Sequence, residues 1–207
     1  MRRIVSFAFV VIVLGLKSVK PAAPAAMGLP IPPKNVLVND RATDIAPYIA
    51  QREPTLAVFG SHIVVGWNDE RYRLSHTKRG IDSSLGYAFS TDGGSTFTDA
   101  GELGASHWGA DPSVAVDRAG NFYFGRIDLV PGVSLSTPGR IAVYKSTDGG
   151  VTFPGSTSPS TGLTGSQDKP LIVVDNAGGP FDGSVYAIWN NAVNNVLTSA
   201  FSRSTDG

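Results

Sequence analysis

The chain has 207 residues with 17 basic and 17 acidic side chains and no cysteine, so its formal net charge is zero. The lack of cysteine excludes disulfides and thiolate metal sites. Removal of residues 1–25 would leave 17 − 4 = 13 basic against 17 acidic side chains. This slight excess of acidic side chains argues against nucleic acid as a partner. Residues 175–182 are rich enough in oxygen groups to suggest Ca²⁺ but lack a recognisable calcium-loop spacing, so we expect a plain hairpin there and neither a metal ion nor a cofactor.

Residues 1–25 have the features of a secretory signal peptide. An arginine pair precedes an apolar run over residues 4–16, and Ala23-Pro24-Ala25 offers a small-x-small cleavage site. The run of 13 residues is too short to span a bilayer. We expect no stable membrane span once the signal peptide has been removed. Two lysines just after the run leave an uncleaved anchor as the alternative. Export without disulfides predicts a secreted or periplasmic bacterial protein.

Residues 26–52 form a proline-rich leader, because clustered prolines favour an extended backbone. Within this leader, the Val-Leu-Val run at residues 36–38 is a candidate lone strand, and residues 40–44 are a polar turn. The candidate strand is a piece that could complete the fold formed by the rest of the chain.

Nearly the same eight residues occur twice and begin a third time. The pattern Ser-Thr-Asp-Gly-Gly-x-Thr-Phe covers residues 90–97 and 146–153, and its first four residues recur at 204–207. An aspartate between small residues accepts hydrogen bonds from backbone N–H groups just ahead of it, and the glycine pair supplies positive φ angles. We therefore assign a structural turn role to Ser90, Asp92, Gly94, Thr96, Phe97, Ser146, Asp148, Gly150, Thr152, Phe153, Ser204 and Asp206.

A second landmark repeats in phase with these turns. The turn aspartates lie 148 − 92 = 56 and 206 − 148 = 58 residues apart. Pro54, Pro112 and Pro170 lie 112 − 54 = 58 and 170 − 112 = 58 residues apart. Two landmarks with one period indicate a repeated unit of supersecondary structure, such as the blade of a propeller.

The eight-residue pattern resembles the Asp-box, or BNR repeat, and residues 53–207 are similar to part of a sialidase-like β-propeller. The resemblance implies an all-β fold of four-stranded antiparallel blades, with about three blades at residues 53–110, 111–167 and 168–207. The family includes sialidases, other glycoside hydrolases and non-catalytic receptor or assembly domains, so the resemblance predicts fold more firmly than activity.

Each repeat contains short apolar runs separated by turn residues, as expected for blade strands. The predicted strands are residues 54–58, 63–67, 85–89 and from 97 onward in the first repeat, 112–116, 122–124 and 141–144 in the second, and 171–174, 185–189 and 197–201 in the third. Because turns alternate between the two ends of an antiparallel meander, the Asp-boxes are predicted to lie opposite the long loops and the positions of Glu53, Asp111 and Asp168.

Three carboxylates near the start of the predicted innermost strands are candidates for glycoside chemistry. Glu53, Asp111 and Asp168 would converge on the central channel, where paired carboxylates could act as general acid and base. Asp111 is the candidate acid/base, because His107 and Trp108 lie in the same connection and an aromatic beside a carboxylate suits a sugar ring. The alternatives are strand-entry or ion-pair roles for the acids and blade packing for Trp108.

The loop over residues 68–84 is a second candidate for ligand binding. Its Arg71 and Arg73 could hold an anionic substrate, since arginine binds carboxylates through two parallel hydrogen bonds. The alternative is a solvated loop of mixed charge.

Resemblance to sialidases implies an arginine triad, an aspartate acid/base and a Tyr–Glu nucleophile pair. The Phe/Tyr-Arg-Ile-Pro motif that carries the first arginine does not occur in this chain, and Arg126-Ile127-Asp128 does not match it. The sialidase resemblance therefore assigns no catalytic role to any residue of this sequence.

The length corresponds to about three blades, since 207 − 25 = 182 residues follow the predicted signal peptide and each repeat takes 56 to 58. A closed propeller needs at least four. We expect further blades in a longer protein, or self-association of two copies, to close the ring. The predicted function is an exported propeller that presents loops to glycans or glycoproteins without catalysis by this part. The alternatives are part of an exo-sialidase-type glycoside hydrolase and an interaction scaffold that binds no sugar.

Overall fold

The computed structural model describes residues 35–44, 46, 49–70, 84–104, 108–129 and 139–207, with backbone only for residues 43, 108 and 129. The predicted signal peptide and residues 26–34 of the predicted leader lie outside this part, as do Arg71, Arg73 and His107. Within the described part, no helix is both long enough and apolar enough to cross a membrane.

Within these residues, eleven β-strands form three antiparallel sheets whose strands neighbour one another in chain order. Blade 1 consists of β1 (Gln51–Phe59), β2 (His62–Asp69), β3 (Ser84–Ser90) and β4 (Thr98–Glu102). Blade 2 consists of β5 (Trp108–Val116), β6 (Phe122–Leu129), β7 (Arg140–Ser146) and β8 (Ser156–Thr157). Blade 3 consists of β9 (Ser166–Val174), β10 (Val185–Val193) and β11 (Val196–Ser204). The predicted all-β class and four-stranded antiparallel unit are confirmed.

Blade 2 lies between the other two and is covered on both faces. Phe122 and Phe124 of β6 pack into a cluster with blade 1 residues, whereas Tyr123 and Ile127 pack into a cluster with blade 3 residues. Alternate residues of a strand point to opposite faces, so one apolar strand supplies both cores. The two clusters hold the three blades together.

Equivalent hydroxyl groups also link each blade to the next. The Val114 N–H donates to Thr55 Oγ1 at 3.3 Å, and the Ile172 N–H donates to Ser113 Oγ at 3.0 Å. Donor and acceptor both advance by 58 residues from one junction to the next. The sequence period is therefore a period of blade-to-blade contacts as well as of strands.

The candidate strand at residues 36–38 pairs with no other strand among the described residues. Residues 35–39 are irregular, and Val36 and Leu37 are exposed. The predicted polar turn contains a 3₁₀ helix, Arg41–Thr43, whose first turn is capped by Asp40 through a hydrogen bond from the Ala42 N–H. A high β propensity forms a strand only where an edge pairs with it.

The turns alternate between the two ends of the strands, as the meander predicts. The turn after β3 lies beside the turn after β1, and the Gly93 N–H donates to the Ser61 carbonyl at 2.9 Å. We call this side the box end. The opposite side, where β1, β5 and β9 begin, is the proline end, and Glu53 and Asp111 lie there.

Candidate functional site

The proline end contains the same backbone irregularity in all three blades. Glu53, Asp111 and Lys169 each precede a proline and have φ angles of 53°, 55° and 49°. Such left-handed values are uncommon for residues other than glycine, and a following proline disfavours them further. Strand pairing shifts register at each of these points. Each blade therefore has a β-bulge there, a feature that redirects a side chain and is frequent beside functional sites.

The bulges bring side chains from three blades into one cluster. Lys169 Nζ lies 2.6 Å from Glu53 Oε2 and 3.4 Å from Asp111 Oδ1. Asn68 of β2 completes the cluster, because its Nδ2 donates to Glu53 Oε2 at 3.1 Å and its Oδ1 accepts from the Asp111 N–H at 2.8 Å. We call these four residues the proline-end cluster.

The cluster is open to solvent and carries charges of both signs. The side chains of Glu53, Asp111 and Lys169 are 46%, 13% and 53% exposed. Burial acts to lower the pKa of Lys169, but its hydrogen bond to Glu53 and the charges of Asp111 and Glu53 outweigh that effect and raise it. Lys169 is therefore an ammonium donor at neutral pH, with carboxylate acceptors on either side.

Lys169, and not Asp168, is the blade 3 member of this cluster. Asp168 was expected to join Glu53 and Asp111, but it is exposed and is paired with Asn190 in the β9–β10 register. The signal that identifies Lys169 is its position directly before Pro170, equivalent to the other two residues. No comparable signal identifies Asn68, whose role depends on how blade 1 meets blade 2.

The remaining predicted ligand residues are not brought into the cluster by described contacts. Trp108 begins β5, and its side chain is not described. Arg71, Arg73 and His107 lie outside the described residues. Beside the cluster, the exposed Arg52 forms an ion pair with the buried Glu70, so this arginine is already neutralised by a carboxylate of its own blade.

Arg126, which does not match the sialidase arginine motif, has an internal role. Its side chain is fully buried, and its guanidinium donates to the Leu103 carbonyl and to Asp128 Oδ1, each at 2.6 Å. The same group lies over the Tyr144 ring, 4.9 Å from its centre. Arg140 binds the second oxygen of Asp128 at 2.9 Å. These contacts occupy Arg126 between blades 1 and 2.

The box end has a different chemistry, in which each carboxylate is bonded within its own turn. Asp92 accepts from the Ser90 hydroxyl at 2.8 Å, from the Thr96 N–H at 2.9 Å and from the Thr96 hydroxyl at 2.6 Å. Asp148 accepts the equivalent bonds from Ser146 and Thr152 at 2.6, 3.0 and 2.6 Å. The two turns therefore have the same internal pattern of hydrogen bonds.

These bonds favour the ionised carboxylates. Hydrogen bonds from the Thr96 side chain and backbone, and from Ser90, lower the pKa of Asp92 from 3.8 to about 2. Burial acts to raise the pKa of Asp148, but bonds from Ser146 and Thr152 outweigh burial and lower it to about 2. A carboxylate held this firmly as an acceptor is suited to closing a turn and is a poor proton donor.

No protein-family model matches the sequence, and no curated protein matches it. Zg3597, a family 117 glycoside hydrolase from the marine bacterium Zobellia galactanivorans, matches 83% of this chain and 57% of its own, with 15% identity and a TM-score of 0.55. The Hadza microbial sialidase Hz136 matches 76% of this chain and 36% of its own, with 16% identity and a TM-score of 0.56. The fold is a β-propeller.

The structure of a protein of unknown function from Dyadobacter fermentans is also similar to this chain, with 16% identity, a TM-score of 0.52 and coverage of 83% of this chain and 54% of its own. The chain spans 57%, 36% and 54% of these three structures. At 15 to 16% identity the likeness shows the propeller fold and leaves activity to be argued from the site.

Proposed function

We propose that this protein is an exported, sialidase-like Asp-box β-propeller that binds a glycan at the proline end. The observation that carries the proposal is the equivalent left-handed conformation of Glu53, Asp111 and Lys169, which directs three side chains to one place. Strained residues of this kind persist only where the surrounding structure enforces them, and they concentrate at functional sites.

The chemistry of the proline-end cluster suits sugar hydroxyl groups. A hydroxyl can donate to the carboxylates of Glu53 and Asp111 and accept from the ammonium of Lys169. Charged partners strengthen such hydrogen bonds, and the exposure of Glu53 and Lys169 leaves the cluster accessible to a ligand. Export, which the first 25 residues favour, would place the cluster among extracellular glycans or glycoproteins.

Binding to an array of immobilised sialylated and neutral oligosaccharides tests this proposal. Lys169→Met removes the ammonium and should weaken binding of the best glycan by about tenfold or more, the effect of losing a central contact. Lys145→Met is the matched control, because Lys145 lies at the box end, near the carbonyls of Asp206 and Gly207. The proposal fails if no glycan binds, or if both variants bind as tightly as the wild type. If the protein instead binds a protein ligand that carries no sugar, the result would favour the interaction-scaffold alternative.

A second candidate function is glycoside hydrolysis of the exo-sialidase type, with Asp111 as acid/base. The observation that favours it is the low exposure of the Asp111 carboxylate beside the more open Glu53. A partly buried aspartate is suited to general acid/base work, the role that the sialidase resemblance gives to an aspartate. Asp111→Asn should then lower turnover of a fluorogenic sialoside by roughly 10²- to 10⁴-fold without changing thermal unfolding. Unchanged turnover would remove Asp111 from the reaction.

A further inference from the structure

The second strands of blades 1 and 2 each carry a buried pair of polar side chains near the proline end. In β2, Trp67 Nε1 donates to Asp69 Oδ2 at 3.1 Å. In β6, Arg126 Nη2 donates to Asp128 Oδ1 at 2.6 Å. The donor lies two residues before the acceptor in both strands, so the two side chains share one face of the sheet. All four side chains are buried, and each donor has its acceptor within its own strand.

Trp189 and Asn191 occupy the equivalent positions of β10 but do not form the equivalent bond. The residue between them lies opposite the one that precedes the bulge of blade 3, as Asn68 lies opposite Arg52 in blade 1. Asn191 Oδ1 instead accepts from Gln167 Nε2 of β9 at 2.7 Å. An amide from the neighbouring strand has therefore taken the acceptor that the tryptophan of blade 1 uses.

Two buried polar atoms of blade 3 consequently have no hydrogen-bond partner among the described residues. They are Trp189 Nε1, a donor, and Gln167 Oε1, an acceptor. Trp189 and Gln167 are only 2% and 5% exposed. By analogy with Trp67, the Trp189 indole reaches toward the residue two positions ahead, which is Asn191, the partner of Gln167. Buried groups without a partner cost free energy, and a single hydroxyl can serve both, because it donates and accepts.

A cavity of about 410 Å³ adjoins Gln167 where blade 2 meets blade 3. Arg140, Ser160, Leu163 and Thr164 form other parts of its wall. Leu163 and Thr164 are exposed, so the cavity opens to solvent. One water molecule takes up about 30 Å³ of the liquid, whereas small-molecule sites have volumes of about 300 to 1,000 Å³. The space is therefore large enough for a monosaccharide unit.

Arg140 supplies a hydrogen-bond donor to the same cavity. Its Nε and Nη2 bind Asp128 Oδ2 at 3.2 and 2.9 Å, and these bonds leave Nη1 available to a ligand. The Asp128 side chain is 1% exposed and that of Arg140 is 48% exposed, so a buried carboxylate fixes a guanidinium that reaches solvent. A carboxylate ligand has no hydrogen to give Gln167 Oε1. The wall therefore favours an uncharged ligand rich in hydroxyl groups.

We propose that this space, which we call the junction cavity, binds a neutral monosaccharide unit through two adjacent hydroxyl groups. One hydroxyl accepts from Trp189 Nε1 and donates to Gln167 Oε1, and its neighbour accepts from Arg140 Nη1. The sugar oxygen thus replaces the acceptor that Asp69 provides to Trp67 in blade 1. None of the four residues of the proline-end cluster takes part, so the junction cavity is a second site beyond the one in the proposed function.

Titration of the full chain with D-glucose, D-galactose and D-mannose, followed by NMR of side-chain N–H groups, tests the site. The Trp189 indole signal and the Gln167 amide signals should shift with at least one of these sugars. The Trp67 indole is the internal control, because Asp69 already accepts from it. The proposal is overturned if either group fails to shift with all of these sugars, or if Trp67 shifts as much as Trp189. A water molecule that keeps its contact with the Trp189 N–H at saturating sugar would also overturn it.

A matched pair of tryptophan substitutions measures the donor. Trp189→Phe keeps a ring and removes the N–H, so it should weaken sugar binding, followed at the Gln167 amide, by roughly 5- to 10-fold, the effect of one lost hydrogen bond. Trp67→Phe makes the same change at the equivalent position of blade 1 and should leave the affinity unchanged. Equal affinities of the two variants would refute the role of Trp189.

A second matched pair measures the acceptor. Gln167→Met should weaken binding by a similar factor, followed at the Trp189 indole, whereas Gln51→Met, at the equivalent position of β1, should not. If Gln167→Met does not fold, the tryptophan pair decides the question. These signals belong to the junction cavity, so their outcome is separate from the effect of Lys169→Met on glycan binding.

Discussion

The two ends of the blades use carboxylates in opposite ways. At the box end, Asp92 and Asp148 find their partners within four residues along the chain. At the proline end, Lys169 and Glu53 meet although 116 residues separate them. Each repeat therefore contains all the residues of its box-end turn, whereas the proline-end cluster forms only after three blades have packed together.

Backbone geometry differs between the ends in the same sense. The positive φ angles of the boxes fall on glycines, such as Gly93 and Gly150, where they carry little penalty. Those of the proline end fall on Glu53, Asp111 and Lys169, where each costs about 1–3 kcal/mol. The box end therefore contributes stability, and the proline end holds strain that the rest of the fold must offset.

The largest effect on stability should come from Phe153, whose buried ring packs between Tyr87 of blade 1 and Phe124 of blade 2. Phe153→Ala removes a buried ring and should lower the free energy of unfolding by about 3–5 kcal/mol, measured by urea titration. Phe97→Ala is the matched control, because Phe97 is only partly buried. Equal losses would contradict the larger contribution expected from the more deeply buried Phe153 ring.

The second prediction separates folding from binding at the box end. Asp148→Ala deletes the acceptor of the Ser146 and Thr152 bonds and should lower the free energy of unfolding by about 1–2 kcal/mol. Affinity for any glycan bound at the proline end should stay unchanged in the protein that remains folded. A selective loss of glycan affinity would contradict the structural assignment of Asp148.

The third prediction uses pH to isolate the carboxylate of the same turn. The pKa of Asp148 is lowered on folding from 3.8 to about 2, so its stabilising effect is complete above pH 4 and is lost as pH falls through 2. Solvent screening at this exposed turn limits that effect to about 1 kcal/mol. The stability difference between wild type and Asp148→Ala should therefore shrink between pH 4 and pH 2 in urea titrations. A constant difference would assign the loss to packing.

Much of the fold follows from the sequence for the same local reasons. The repeated Ser-x-Asp-x-Gly-x-Thr-Phe turns and the three prolines locate the blade strands, although β2 extends to His62–Asp69 beyond the predicted residues 63–67. Strand ends lengthen because neighbouring strands pair with them, and a single run of residues does not contain that information. The same reason explains why Val36 and Leu37, with high β propensity, form no strand.

The candidate site was less predictable, because it depends on contacts between blades. Glu53 and Asp111 could be placed at one end from the alternation of turns. The sequence points to Asp168 instead of Lys169, because Asp168 has the carboxylate expected at this site. Only the position directly before Pro170 distinguishes Lys169 from it. Asn68 was missed because its partner groups, Glu53 Oε2 and the Asp111 N–H, belong to two different blades.

The smallest predicted effect tests the strain at the proline end. In ordinary strands alanine is more stable than glycine by about 0.5–1 kcal/mol. Asp111 has a φ of 55°, where an alanine Cβ is disfavoured and a glycine is not. Asp111→Gly should therefore be more stable than Asp111→Ala by about 1 kcal/mol, although both variants lose the contact with Lys169.

The same pair of substitutions at the box end should give the reverse order. Asp148 has no positive φ, so glycine gains nothing there and Asp148→Gly should be no more stable than Asp148→Ala. Urea titration of the four variants measures both differences under one set of conditions. If alanine is the more stable replacement at residue 111 as well, the bulge at that position is unstrained, and the backbone argument for a functional proline end loses its basis. If glycine is favoured only at residue 111, the fold offsets strain at the end where the blades combine their charged side chains, as expected for a binding site.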